Sequence, residues 1–142
     1  METAARTVRL KAETMGRIVT SVTITNALDS SRRIRFEALV DTGAAGLIVP
    51  TAWKDRLGPL PLARTVELET ADQRLVTGEV CGPVTIQIEG FAAVSSEITF
   101  LQMGPGDGAY EPLLGYIILE QSQVAVDLVG HRLVAVKHAD LK

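Results

Sequence analysis

A chain of 142 residues with 46% hydrophobic and 22% charged residues carries enough apolar mass for one sizeable core and is too apolar for a disordered polymer. A net charge of −3 and 4% aromatics leave no basic face and few stacking platforms, which argues against nucleic acid as a partner. The lone Cys81 cannot close a disulfide within the chain, and no apolar stretch reaches the ~18 residues of a membrane span. Residues 1–10 carry charges where a signal peptide needs an apolar run, so one domain over residues 1–142, cytoplasmic and away from membranes, is expected.

In chain order the pattern is β almost throughout. Residues 7–12 alternate apolar and polar, the period of a half-buried strand. Residues 17–27 are rich in β-branched side chains, and Leu28-Asp29-Ser30-Ser31 is a turn cluster. Residues 33–40 return as a strand with Ile34, Phe36, Ala38 and Val40 on one face, so the two segments form a hairpin that ends at Asp41. Residues 46–50 read as a short strand. Residues 51–57 read as one or two helical turns, with Thr51 as cap, Gly58-Pro59 as stop and Trp53 on the core.

Residues 64–69 and 74–80 are the arms of a second hairpin around a tight turn at 70–73. Residues 83–89 continue as a strand after a kink or bulge at Gly82-Pro83, and residues 93–101 add another. The Gly-rich segment 103–109 lacks the Lys-Ser/Thr and the strand-to-helix setting of a phosphate cradle. Residues 112–115 are an apolar run ending on glycine, 116–121 a helix, and 124–128 with 132–136 a closing hairpin. Many short strands with one late helix make an all-β domain, which hides its strand edges best as a barrel or sandwich. His131 and His138 have no ligand spacing with Cys81, so neither metal nor cofactor is expected.

One residue stands out. Asp41 interrupts two apolar runs, Ala38-Leu39-Val40 before it and Leu47-Ile48-Val49 after it. A carboxylate brought among buried strands is costly unless it is hydrogen-bonded or does chemistry. The bland alternative is a turn aspartate that caps Gly43.

Two motifs together decide between these readings: Leu39-Val40-Asp41-Thr42-Gly43-Ala44, and Leu113-Leu114-Gly115 followed by a helix. Their order, their spacing and the hairpin between them resemble the retropepsin-like aspartic proteases, closer to cellular and bacterial members than to viral ones. The resemblance implies a small closed β-barrel with a flap hairpin and one short helix in the C-terminal half. It implies that Asp41 is the catalytic carboxylate, that Thr42 braces two such loops across a two-fold axis, and that Gly43 and Ala44 complete the loop. Leu113, Leu114 and Gly115 would pass beneath that loop. The flap would span residues 66–80, with Ala71, Asp72 and Gln73 near its tip to hold substrate.

Chemistry of this kind needs two carboxylates sharing one proton, and Asp-Thr-Gly occurs once here. The resemblance therefore implies a homodimer acting on an extended peptide or unfolded protein. Two departures stand against the viral pattern. Ala45 and Gly46 occupy positions where viral enzymes carry substrate-binding acids, and Tyr116 replaces the Arg that pairs with them. The flap tip is also polar where viral tips are apolar, which keeps a second reading open: a catalytically silent dimeric module that binds peptides or serves in assembly. Ala44 stands where some members have a Ser that bonds the catalytic carboxylate, which implies a less acidic optimum.

Overall fold

The computed structural model describes residues 17–69, 73–103 and 111–136. The expected strand at 7–12 and nearly all of the Gly-rich segment lie outside them. Among the described residues nine strands and two short helices follow in order. β1 is Val19–Asn26, β2 Arg33–Val40 and β3 Leu47–Pro50. A 3-10 turn, Thr51–Trp53, leads into α1, Lys54–Leu57. β4 is Leu62–Glu69, β5 Leu75–Ile88, β6 Val94–Leu101 and β7 Leu113–Leu114. α2 is Tyr116–Gln121, followed by β8, Val124–Asp127, and β9, Arg132–Ala135.

The alternation seen in the sequence is the alternation that folds. In β1 and β2, Val22, Ile24, Ile34 and Ala38 face inward and are buried. Seven strands pair in the order β1-β2-β7-β3-β6-β5-β4, and β1 also pairs with β5. The pairings thus run in a ring of strands, with β4 attached outside it along β5. Joining β1 to β5 removes two edges and encloses the apolar faces. Phe100, Leu47, Ile86, Ile98, Leu114 and Ile118 are among the fully buried side chains at the centre. All four residues of β3 are buried, since it runs parallel to β6 on one side and antiparallel to β7 on the other.

β5 is one long strand where the sequence indicates two. The expected kink is present as a register shift between Cys81 and Val84, at the cis Gly82-Pro83 bond. Thr51 is not the helix cap. Pro50 holds that place in extended geometry, with no side-chain cap bond. β3 runs directly into the turn, and the fixed φ of proline suits the residue that leads into a helical turn. The stop is as expected: Gly58 ends α1 at φ 73.

A buried polar residue ties this corner together. Asn26, 1% exposed, donates from Nδ2 to the carbonyls of Leu57 at 2.7 Å and Pro59 at 3.2 Å. Its Oδ1 accepts from the Leu28 amide at 2.7 Å, so a side chain that would be costly alone is fully bonded. Trp53 packs half-buried against Phe36, with ring centroids 5.0 Å apart.

β8 and β9 form a separate two-stranded sheet whose Val126 and Leu133 pack on the core. Its turn is held by Asp127, which accepts from the Gly130 amide at 2.9 Å and from Arg132 Nε at 3.1 Å. These bonds hold the Asp127 carboxyl below its usual range.

Candidate active site

The site begins with strand order. β7 is wedged between β2 and β3: Val40 lies beside Leu114 in parallel, and Leu47 beside Leu114 in antiparallel register. Residues 41–46 connect β2 to β3, so they must cross the end of β7. The Asp41 amide donates to the Leu114 carbonyl at 2.9 Å at the start of that crossing. On the far side, the amides of Gly115, Tyr116 and Ile117 donate to the carbonyls of Gly46, Ala44 and Ala45 at 2.9, 3.0 and 2.9 Å.

That contact explains Gly115. A Cβ there would lie 2.5 Å from the carbonyl oxygens of Ala44 and Gly46 and 2.6 Å from the carbonyl carbon of Ala45. All three are backbone atoms that have no rotamer to retreat into. Its φ of −90° is open to any residue, so glycine serves space here and not conformation.

Asp41 is half-buried, while Thr42 and Gly43 are exposed. Oδ1 of Asp41 accepts from the Gly43 amide at 2.9 Å, and the Ala44 amide donates to the Asp41 carbonyl at 3.0 Å. β3 after the loop is buried throughout, whereas Leu39 and Val40 before it are half-buried, as is the carboxylate between the two runs. The reason is topological: the loop must pass over β7 and not through the core. Asp41, Thr42, Gly43 and Ala44 thus lie directly over Leu113, Leu114 and Gly115.

The β4–β5 hairpin is present, with Val66 opposite Gly78 and Leu68 opposite Val76. Val66, Leu68 and Val76 are half-buried on one face, whereas Thr65, Glu67, Glu69, Leu75 and Thr77 are exposed on the other. Of the expected tip residues, Ala71 and Asp72 lie outside the described residues; Gln73 is exposed, with φ 66.

Between this hairpin and the Asp41 loop is a cavity of about 430 Å³. Ala45, Gly46 and Ile48 form one wall, Val66 and Leu68 of β4 another, and Ile117, Ile118 and Gln121 of α2 a third. Arg64 and Glu97 line it as well, paired at 2.7 Å. Asp41 does not line it but sits on the same loop. The motif reading missed the α2 wall and the Arg64–Glu97 pair. The signals were in the sequence: 117, 118 and 121 share one helical face, and 64, 66 and 68 one strand face.

Lys54 pairs with Glu79 on the hairpin, and that partner raises the lysine's pKa. Burial pushes the Cys81 thiol up, away from reactivity. Among the described residues no three His, Cys, Asp or Glu side chains cluster as metal ligands, and no helix is long and apolar enough to cross a membrane.

The family described as aspartyl protease matches residues 20–117. No curated protein matches. Among solved structures, the EIAV protease complexed with the inhibitor HBY-793 is 23% identical, with 73% of this chain and 86% of that chain covered at a TM-score of 0.51. The retroviral protease-like domain of Ddi1 from Leishmania major is 17% identical, with 85% and 90% covered at 0.52. A retropepsin-like aspartic protease from Rickettsia conorii is 16% identical, with 78% and 87% covered, and at a TM-score of 0.38 it carries no weight here. At these identities the likeness is one of fold.

Proposed function

Since the chain belongs to the aspartyl protease family, we propose that it is an endopeptidase whose site is completed by a second copy, with Asp41 of each protomer facing its mate. The observation that carries this reading is the Asp41 loop itself. It is pinned from below by β7 and α2, and it leaves Thr42 and Gly43 exposed and Asp41 half-buried beside them. A rigid loop that presents one carboxylate and no second acid is half of a dyad.

The chemistry follows from two carboxylates sharing one proton. The ionised one takes a proton from water as the water oxygen attacks the peptide carbonyl carbon. The protonated one gives its proton to the carbonyl oxygen. Collapse of the resulting diol breaks the C–N bond, and the leaving nitrogen takes a proton back from the dyad. No covalent enzyme intermediate forms. Thr42 would brace the two loops across the axis, Gly43 would let the backbone approach the substrate, and Ala44 would complete the loop. The β4–β5 hairpins would serve as flaps that hold an extended substrate by backbone hydrogen bonds, with Ala71, Asp72 and Gln73 near their tips. Residues 1–142 would form one such domain.

The bond from the Gly43 amide to Asp41 Oδ1 is also what a plain turn aspartate makes, which favours the silent peptide-binding module as the second reading. Incubation of an unfolded protein with the native chain and with Asp41→Asn separates the two. The protease reading requires cleavage that the substitution abolishes. Cleavage that survives Asp41→Asn contradicts it, and binding without cleavage by either chain supports the silent module.

A further inference from the structure

The seven-stranded sheet leaves one strand at its border. β5 pairs with β1, β6 and β4, but among the described residues β4 pairs with β5 alone. The outer edge of Leu62–Glu69 therefore carries amides and carbonyls that no described strand takes up, and such an edge is a template for a further strand. Its side chains sort by face. Val66 and Leu68 are half-buried and line the cavity of about 430 Å³, whereas Thr65, Glu67 and Glu69 are exposed on the opposite face. The side chains of Glu67 and Glu69 have no ion-pair or hydrogen-bond partner among the described residues.

A strand that completes this edge must match both faces. It needs apolar side chains at alternate positions, level with Val66 and Leu68, and cations between them, level with Glu67 and Glu69. The β4 edge of a second copy does not fit, because it would set acid against acid. The sequence holds a segment that does. Thr65-Val66-Glu67-Leu68-Glu69 has a charge-reversed counterpart in Thr7-Val8-Arg9-Leu10-Lys11: threonine, valine and leucine keep their places, and each acid is replaced by a base. Residues 7–11 lie outside the described residues, but the point where the chain enters the fold is known. Ile18 accepts from the Val40 amide at 2.8 Å, one residue before Asp41, and the loop that follows shares the cavity with Val66 and Leu68. From Lys11 to Arg17 an extended chain spans up to about 20 Å.

We propose that residues 7–11 of the same chain dock as an additional strand on the free edge of β4, with Arg9 and Lys11 on the acidic face and Val8 and Leu10 on the cavity side. Docked there, the segment gives β4 a second ladder of backbone hydrogen bonds and ties the N-terminal end of the chain to the hairpin. It acts as a latch: held along both edges, β4 keeps the cavity covered, and release of the segment frees it. This docking does not depend on whether Asp41 cleaves peptides.

Charge exchange in the full chain tests it, read by amide hydrogen exchange over Leu62–Glu69. Reversing the bases (Arg9→Glu with Lys11→Glu) is expected to speed exchange in β4 at least about threefold at low salt, and reversing the acids (Glu67→Lys with Glu69→Lys) to do the same. All four substitutions together restore opposite charges and are expected to return protection to within about twofold of the native chain. Exchange in β8 and β9 should stay as it is in the native chain. A second variant, Val8→Asp with Leu10→Asp, alters only the proposed strand and is expected to give the same local loss. The docking is overturned if reversing the bases leaves β4 exchange unchanged, if the fourfold variant does not regain protection, or if Val8→Asp with Leu10→Asp has no effect. Native protection of β4 that rises with protein concentration also overturns it, because the strand would then come from a second copy.

Discussion

The loop at Asp41 and the hairpin at Val66 face one another across the cavity, and they are built in opposite ways. The loop is fixed by backbone. The Leu114 carbonyl of β7 accepts from the Asp41 amide, the amides of Gly115, Tyr116 and Ile117 hold the loop's carbonyls, and the space beneath it does not admit a methyl group at position 115. The hairpin is fixed along one side. Among the described residues β4 pairs only with β5, at the edge of the sheet, and its outer face is exposed and acidic. Beyond the ladder, its ties include ion pairs between half-exposed groups, Arg64 with Glu97 and Lys54 with Glu79, and such pairs stabilise little. The difference teaches where rigidity was placed. The Asp41 carboxylate sits where the proposed chemistry would tolerate little displacement, and the proposed flap has fewer ties among the described residues.

That contrast can be broken by substitution. Gly115→Ala is expected to have the largest effect, about 3 kcal/mol of lost stability in chemical denaturation. Its Cβ would meet backbone on three sides, and the Asp41 loop would have to lift. Gly78→Ala probes the base of the hairpin. Its Cβ would meet Thr99 Cγ2 at 3.0 Å and the Phe100 carbonyl oxygen at 3.3 Å. A side chain can yield where backbone cannot, so about 1–2 kcal/mol is expected. A loss equal to that of Gly115→Ala would remove the distinction between the two regions.

The β8–β9 hairpin sharpens the comparison, because its turn is tied by side-chain bonds of its own. The Gly130 amide and the Arg132 guanidinium lower the Asp127 pKa. A lowered folded-state value means that the tie is fully present above the unfolded value and is lost as pH falls through the folded one. The Asp127 carboxyl should therefore titrate with a midpoint below 3.8 by NMR, with the Gly130 amide signal moving in parallel. A midpoint at or above 3.8 would show that the turn is not held this way. The smallest effect belongs to Leu75, 66% exposed on the outer face of β5. Leu75→Ala should change stability by less than about 0.5 kcal/mol, and a larger loss would mean that this face is covered.

Local pattern made much of this molecule legible. The pattern of β-branched and alternating residues located β1 and β2 to within a residue or two, because strands with one wet face write their period into the sequence. Asp41-Thr42-Gly43 and Leu113-Leu114-Gly115 pointed at each other through a family resemblance, and the structure stacks them. What pattern did not show was fixed by contacts distant in the chain. Asn26 looks like any strand-end residue, and its role depends on carbonyls of Leu57 and Pro59. Thr51 looks like a cap, but the strand before it carries straight into the turn. Gly46 and Gly115 are the same letter, one with open space and the other with backbone at 2.5 Å. The partial exposure of Asp41 was hidden too, since flanking apolar runs say where strands go and not which side of β7 their connection crosses.

The central claim is that Asp41 is half of a site. Native chain is mixed with an equal amount of Asp41→Asn chain under conditions that let protomers exchange, and cleavage is compared with that of the same native chain alone. If the site needs an Asp41 from each protomer, random exchange lowers the rate to about half, and excess Asp41→Asn lowers it further toward zero. A rate unchanged at every ratio would contradict the account, because it would place the whole catalytic site within one chain.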